Sequence, residues 1–153
     1  MLSVIDVIKA LTILVESNFP NYPVNDRDVT EGFERPSYFI DIEEVKTENV
    51  TAQHVKETAE LVLVFFEQDI YKGFLNLLDM KNELIELLNR PLELTDENGK
   101  TVAHVVFNDV SMTVSNADKA LTCTMSSELI QKRADEDEHL PLIDNVEFNT
   151  TLN

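Results

Sequence analysis

The sequence predicts an α+β domain in which a mostly antiparallel β-sheet packs two amphipathic helices on one face. Two stretches have apolar residues at helical spacing, and the segments between them alternate or are continuously apolar, as strands are. The 153 residues, 43% of them hydrophobic, are enough to bury a sizeable core in one domain. We expect that domain to span residues 1–133. Residues 134–153 are then an acidic loop and a C-terminal arm, either part of the same domain or reaching between subunits.

Each predicted helix carries an apolar stripe. The first helix covers residues 3–18, where Ser3 and Asp6 have the spacing of a capping box. The second runs from about Tyr71 to Asn89 and stops before Pro91, which cannot continue a helix. The stripes comprise Val4, Ile5, Val7, Ile8, Leu11, Leu14 and Val15 in the first helix, and Phe74, Leu77, Leu78, Leu84, Ile85 and Leu88 in the second.

The first predicted strands lie between the helices. A short strand is expected at Tyr22–Asn25. Residues Ser37–Glu44 alternate between apolar and polar, which is the period of a half-buried strand. Residues Glu57–Glu67 contain the continuous apolar run Leu61–Phe66, which favours a position at the centre of the sheet. The polar stretch Lys46–Thr51 is expected to be an exposed loop between them.

A β-hairpin is predicted over Leu92–Val105, after the second helix. Its turn is Asn98-Gly99, since both residues tolerate the positive φ that a type I′ turn requires. Glu97 and Lys100 are expected to form an ion pair across this turn. The remaining sheet elements are two strands and their connection, at Ala103–Ser115, Lys119–Ile130 and, between them, Asn116-Ala117-Asp118.

The charge of the chain restricts its partners. With 29 acidic and 12 basic residues the net charge is −17, which repels nucleic-acid phosphates and anionic membrane surfaces. The tail from Gln131 onward contains the run Asp135, Glu136, Asp137 and Glu138, expected to be solvated. The longest apolar run is too short to span a bilayer, and no basic region typical of a signal peptide begins the chain. Folding in the cytoplasm is therefore expected.

No residue pattern points to catalysis or to a cofactor. The chain has three glycines, and it contains neither a G-x-S-x-G elbow nor a phosphate-binding glycine loop. The single cysteine, Cys123, stands between threonines and is interpreted as a small apolar strand residue. The histidines lack the spacing of paired metal ligands. We therefore predict no catalytic residue, no metal and no cofactor.

The most informative segment extends from Asn25 to Ile40. Gly32 can adopt a positive φ without steric cost. Pro36 restricts the backbone of Arg35 to an extended conformation, so an apolar strand is expected to begin after it. With the first helix, this segment resembles the signature of the phage tail terminator family. Glu31 stands where the family often has glutamine. The similarity covers the first helix, Asp28-Val29, Gly32-Phe33, Pro36–Ile40, the strand ending in Phe65-Phe66, and the second helix.

The resemblance implies a non-enzymatic assembly protein of the phage particle. Members of the family cap the tail tube at its final length as a ring, a hexamer in related terminators, on which the neck or head docks. The implied partners are other copies of the chain, the tail tube protein, a neck or connector protein and, in a contractile tail, the sheath protein. No cofactor is implied. DNA would pass through the ring without specific binding.

Two groups of residues are candidate contacts under this interpretation. Asp28, Phe33 and Arg35 are candidates in the signature segment. Asn98, Gly99 and Lys100 are candidates at the hairpin turn, because an exposed hairpin can add to a neighbouring sheet. The acidic run 135–138 is a candidate lining of the channel, or an acidic surface. The alternative functions are another head–tail neck or connector component and, from a different class, an acidic inhibitor that mimics DNA.

Overall fold

The computed structural model describes residues 2–25, 35–68 and 72–132. These residues form a four-stranded antiparallel sheet of order β1-β2-β6-β5, a two-stranded sheet β3-β4, and two helices. The predicted α+β class with a mostly antiparallel sheet is confirmed. The elements are α1 Val4–Asn18, β1 Ser37–Asn49, β2 His54–Phe66, α2 Gly73–Leu88, β3 Leu92–Thr95, β4 Thr101–Val105, β5 Phe107–Ser115 and β6 Ala120–Lys132.

Helix α1 begins where its capping residues predict. The Ser3 side chain accepts the backbone N–H of Ile5 at 3.2 Å, and the Ser3 N–H donates to the Asp6 carboxylate at 2.9 Å. Val7, Leu11 and Val15 face the core. Ile5, predicted to belong to this stripe, is 60% exposed. Two residues before Val7, it is rotated by about 200° around the helix and therefore faces away from the sheet.

Strands β1 and β2 form a longer hairpin than predicted. Residues Lys46–Asn49 pair with Val55–Thr58, so the expected loop at Lys46–Thr51 was wrong. The connection is short, and the Val50 N–H donates to the His54 carbonyl at 3.0 Å. The far part of this hairpin lacks the apolar alternation that reveals a half-buried strand, because the side chains of residues 44–54 are exposed on both of its faces.

Strand β2 lies inside the four-stranded sheet, as its apolar sequence predicted. Ala59, Leu61, Leu63 and Phe65 lie in the main core with residues of both helices. Val64, Phe66 and the half-buried Val62, the alternate residues of β2, lie on the opposite face. They form a second cluster with Ala120 of β6 and the half-buried Phe39 of β1. Both faces of β2 therefore bury apolar side chains, which explains its unbroken hydrophobic run.

Helix α2 is two residues shorter at its start than predicted, and Tyr71 lies outside the described residues. Leu77, Met80, Leu84 and Leu88 are buried. Ile85, assigned to the apolar stripe, is 43% exposed. It follows Leu84 by about 100° of rotation and so lies at the edge of the buried face. Both helices pack on the same face of the main sheet, and the helix ends shortly before Pro91 as predicted.

The turn of the β3–β4 hairpin differs from the predicted type I′. Gly99 has a φ of 82°, whereas Asn98 is not among the residues with positive φ. The Asp96 carboxylate accepts the N–H groups of Asn98 and Lys100, each at 2.9 Å, which selects a longer turn. Among the described residues, the ion pair expected between Glu97 and Lys100 is not formed.

Three further boundaries were wrong. The expected strand Ala103–Ser115 is two strands in different sheets, β4 and β5, with only Val106 between them. Val105 and Phe107 are both buried around the exposed Val106, so the alternation continues through the break and hides it. Strand β6 continues to Lys132, two residues into the predicted tail. The expected strand Tyr22–Asn25 is a single parallel bridge from Val24 to Tyr38.

Candidate functional site

The family-like segment enters the fold at one end of the main sheet, where Arg35 joins three parts of the chain. The Arg35 guanidinium donates to the backbone carbonyls of Glu67 and Asp118, each at 3.0 Å, and to that of Lys119 at 3.4 Å. It also lies 5.0 Å from the centre of the Phe66 ring, a cation–π contact. Arg35 thereby ties the start of β1 to the end of β2 and to the β5–β6 turn.

Glu67 is buried beside Arg35, which is unusual for a carboxylate. It accepts a short hydrogen bond from the Tyr22 hydroxyl, and its other oxygen accepts the Gln68 N–H at 2.9 Å. Its own N–H donates to the Lys119 carbonyl at 2.9 Å. We call Tyr22, Arg35, Phe66, Glu67 and Lys119 the Arg35 cluster.

The hydroxyl groups near this cluster are held protonated. Burial, followed by the hydrogen bond and the charge of Glu67, raises the pKa of Tyr22 well above its usual range. Burial and the Glu16 carboxylate, which accepts from the Tyr38 hydroxyl at 3.1 Å, raise the pKa of Tyr38 to about 12. Both phenols are therefore hydrogen-bond donors at neutral pH, with fixed acceptors inside the subunit.

Aromatic rings form the floor of this end of the sheet. Phe65 is fully buried and contacts Phe19, Tyr22 and Tyr38, with ring centres 5.3, 5.7 and 5.9 Å from its own. The first two contacts are edge-to-face, a favoured geometry for aromatic pairs. Phe19 and Tyr22, which precede the signature segment, are thus anchored by packing on Phe65 of β2 and by the hydrogen bond from Tyr22 to Glu67.

Gly73 brings the first turn of α2 against the Arg35 cluster. A Cβ atom at this position would lie 2.7 Å from Cγ of Glu67, closer than real Cβ atoms approach. The absence of a side chain therefore allows the helix to begin directly beside the buried carboxylate. No local sequence pattern predicts this approach, because it depends on how the end of β2 and the start of α2 are placed relative to each other.

The other end of the β1–β2 hairpin is a polar projection, residues 44–58, which we call the hairpin arm. Residues 44–54 are all exposed. Lys56 lies 4.0 Å from the carboxylates of both Glu48 and Glu128, and Lys46 lies 3.7 Å from that of Glu48. Exposed pairs of this kind stabilise a fold little. The backbone ladder with β6 therefore holds the arm, and the side chains of residues 44–54 remain accessible.

The predicted contact residues are distributed over the molecule. Arg35 lies in the cluster described above, with its guanidinium directed at carbonyls of its own subunit. Asn98, Gly99 and Lys100 form an exposed turn on the two-stranded sheet. The remaining candidates, which lie outside the described residues, are Asp28, Phe33, Asp135, Glu136, Asp137 and Glu138. Their roles stay predictions.

Among the described residues, the side chains that could take part in catalysis or metal binding lie apart from one another or are buried. Within the described ranges, no three His, Cys, Asp or Glu side chains are placed to share a metal ion. Cys123 is buried in the main core, as predicted for a small apolar strand residue, and burial raises the pKa of its thiol to about 12. His54 and His104 are exposed on different sheets. None of the described helices has the length and apolarity needed to cross a lipid bilayer.

Comparison with known proteins gives one assignment. A family model described as "Phage tail terminator protein" matches residues 6–139. This range includes nearly all of α1, all of α2, the residues of the Arg35 cluster and all six strands. No curated protein matches the sequence.

Proposed function

Because this chain belongs to the phage tail terminator family, we propose that it caps the tail tube once the tube has reached its final length. Family membership gives it a structural, tail-terminating role in the virion. Beyond that role, we propose that six copies form a closed ring on the end of the tube. The exposed side of the ring then provides the surface on which the neck or head docks.

The observation that carries this proposal is the match over residues 6–139. The match is not confined to the short motif around Gly32 and Pro36, which any α+β domain could use as a turn before a strand. It extends through the main sheet and both helices, so the whole fold belongs to the assignment. The hydrogen bonds of the Arg35 cluster join parts of one subunit, which is consistent with a structural role.

A closed ring requires two different and mutually complementary surfaces on every subunit, because its contacts are heterologous. The described residues present several distinct exposed surfaces, among them the hairpin arm and the turn of Asn98, Gly99 and Lys100. We propose that this turn contacts a neighbouring subunit or the tube. Asp28, Phe33 and Arg35 are proposed as a second contact region, in which Arg35 acts by fixing the path of the signature segment.

The proposed partners are other copies of the chain, the tail tube protein and a neck or connector protein. A sheath protein is added if the tail is contractile. DNA passes through the ring without specific binding, because a net charge of −17 repels phosphates. Asp135, Glu136, Asp137 and Glu138 are the proposed acidic lining. Replacing these four carboxylates by amides would then slow DNA ejection, and unchanged ejection would refute the lining.

The test is electron microscopy of the purified protein, alone and with tail tubes, together with its mass by light scattering. Rings, or additional density at one end of the tubes, are the expected result. Normal, uniformly long, head-joined tails in particles that lack the protein would overturn the proposal. A monomer or dimer that leaves tubes bare but displaces DNA from a DNA-binding protein would instead indicate a DNA mimic.

A further inference from the structure

An apolar cleft of about 290 Å³ opens between α1, the C-terminal end of α2 and the start of β3. Its walls include Leu14 of α1, Leu87 of α2, and Leu92 and Phe107 from the strands that follow. Ile13 stands at its edge with 63% of its side chain exposed. A large apolar side chain exposed beside an apolar cleft indicates a surface that another apolar group can cover.

The charged residues of the cleft define what such a group must carry. Glu93 already accepts a hydrogen bond from the Thr101 hydroxyl at 2.8 Å. Arg90 lies in the wall, and no carboxylate in the described part of the chain pairs with it. In a chain with 29 acidic residues to 12 basic ones, a guanidinium with no such pair is available for an incoming carboxylate. The cleft is therefore suited to an apolar and acidic peptide.

We propose that this cleft receives the segment Leu140–Phe148 of a neighbouring copy. The segment contains apolar residues interspersed with two carboxylates, at Leu140, Leu142, Ile143, Asp144, Val146, Glu147 and Phe148. Its apolar side chains fill the cleft beside Ile13, and one of its carboxylates meets Arg90. The inference rests on the proposed ring, for which it supplies the two complementary surfaces that a heterologous contact needs.

The length of the chain permits this contact. Twenty-one residues follow the last residue of β6, Lys132. Fully extended, they would span up to about 70 Å, more than the width of a subunit of this size. Eight residues separate Lys132 from the start of the segment, a length of chain that can reach up to about 25 Å. The segment can thus leave its own subunit and reach the cleft of the next.

Cross-linking of full-length variants in the assembled ring tests the proposal. One preparation carries Ile13→Cys and the other Ile143→Cys, and the two are mixed, assembled on tail tubes and mildly oxidised. The native Cys123 is buried and does not compete. Disulfide formation requires the two Cβ atoms to come within about 4.5 Å of each other. We expect a disulfide-linked heterodimer, detected as a dimer on a non-reducing gel in the mixed preparation and not in either preparation alone.

Ile5→Cys is the matched control, because Ile5 lies on the same helix with nearly the same exposure, 60% against 63%, but does not line the cleft. Equal heterodimer yields with Ile5→Cys and Ile13→Cys would overturn the proposal. So would a purely intramolecular disulfide in the double variant Ile13→Cys/Ile143→Cys, since the segment would then occupy its own cleft.

Charge reversal provides a second measurement. Arg90→Glu is expected to lower the yield of the heterodimer severalfold, whereas Lys81→Glu, a charge reversal on α2 outside the cleft, leaves it unchanged. Equal effects of the two reversals would contradict a role for Arg90. If microscopy shows rings but no cross-link forms, this inference fails while the proposed function stands. If the tubes remain bare, the proposed function itself fails.

Discussion

The two ends of the β1–β2 hairpin are held by different interactions. At the Arg35 cluster, the strands are fixed by a buried carboxylate, a guanidinium that donates to three carbonyls, and aromatic rings around the fully buried Phe65. In the hairpin arm, Val45 and Val50 remain 42% and 49% exposed and the ion pairs are at the surface. The same two strands thus contain a region that stabilises the subunit and a region, residues 44–54, whose side chains are exposed at its surface.

The comparison predicts that substitutions at the cluster end affect stability and that substitutions in the arm do not. The largest effect is expected for Phe65→Ala, which removes a ring contacted by three others and leaves a cavity. The free energy of unfolding should fall by about 3–5 kcal/mol. Urea denaturation measures it, with Val50→Ala in the arm as a control that changes it by less than about 0.5 kcal/mol. Similar values for the two variants would refute the distinction.

Gly73→Ala should have the next largest effect. The added methyl group meets Cγ of Glu67, which hydrogen bonds prevent from moving away, so we expect a loss of about 1–3 kcal/mol. This expected loss is the net change, after the roughly 1 kcal/mol by which alanine favours a helix over glycine has been subtracted from the cost of the clash. In a Glu67→Ala background the clash is absent, and the same substitution should become neutral or stabilising. A cost that persists in that background would show that Glu67 is not its cause.

Arg35→Lys tests the guanidinium itself. Lysine keeps the charge but lacks the planar fork that reaches several carbonyls, so we expect a loss of about 1–2 kcal/mol. Arg90→Lys is the matched control, because Arg90 has no carboxylate partner within the described residues. Its effect on the urea midpoint of the isolated subunit should be close to zero. If both variants unfold at the same midpoint, the contacts of Arg35 contribute nothing measurable.

The smallest effect is expected in the arm. Lys56→Gln removes the cation shared by Glu48 and Glu128, yet exposed pairs contribute less than about 1 kcal/mol. We expect a change of at most about 0.5 kcal/mol, and less in high salt, because salt screens surface charges. Thermal unfolding at two salt concentrations measures it. A loss above about 1 kcal/mol would mean that the arm contributes to the stability of the subunit.

Features encoded by neighbouring residues could be predicted from the sequence. The capping box of α1 and the central position of β2 depend on residues close in the chain. Features that depend on distant residues could not. The Arg35 cluster brings Arg35 to carbonyls more than 80 residues away. The hairpin arm was mistaken for a loop because strands outside the core show no apolar period. The cleft beside Ile13 combines one face of α1 with segments that begin at Leu87, far along the chain.

The length of β2 and β6 has a mechanical consequence. Each strand runs without interruption for 13 residues, from the Arg35 cluster to the level of His54 beside the turn of the arm, and the two are paired throughout. At about 3.3 Å per residue, this ladder is a stiff strut of roughly 40 Å. A force applied at one end is carried to the other along the covalent backbones of the two strands, which the hydrogen bonds of the ladder hold side by side. If one end of this ladder is bound by a partner, the other end is therefore held at a fixed distance from that contact.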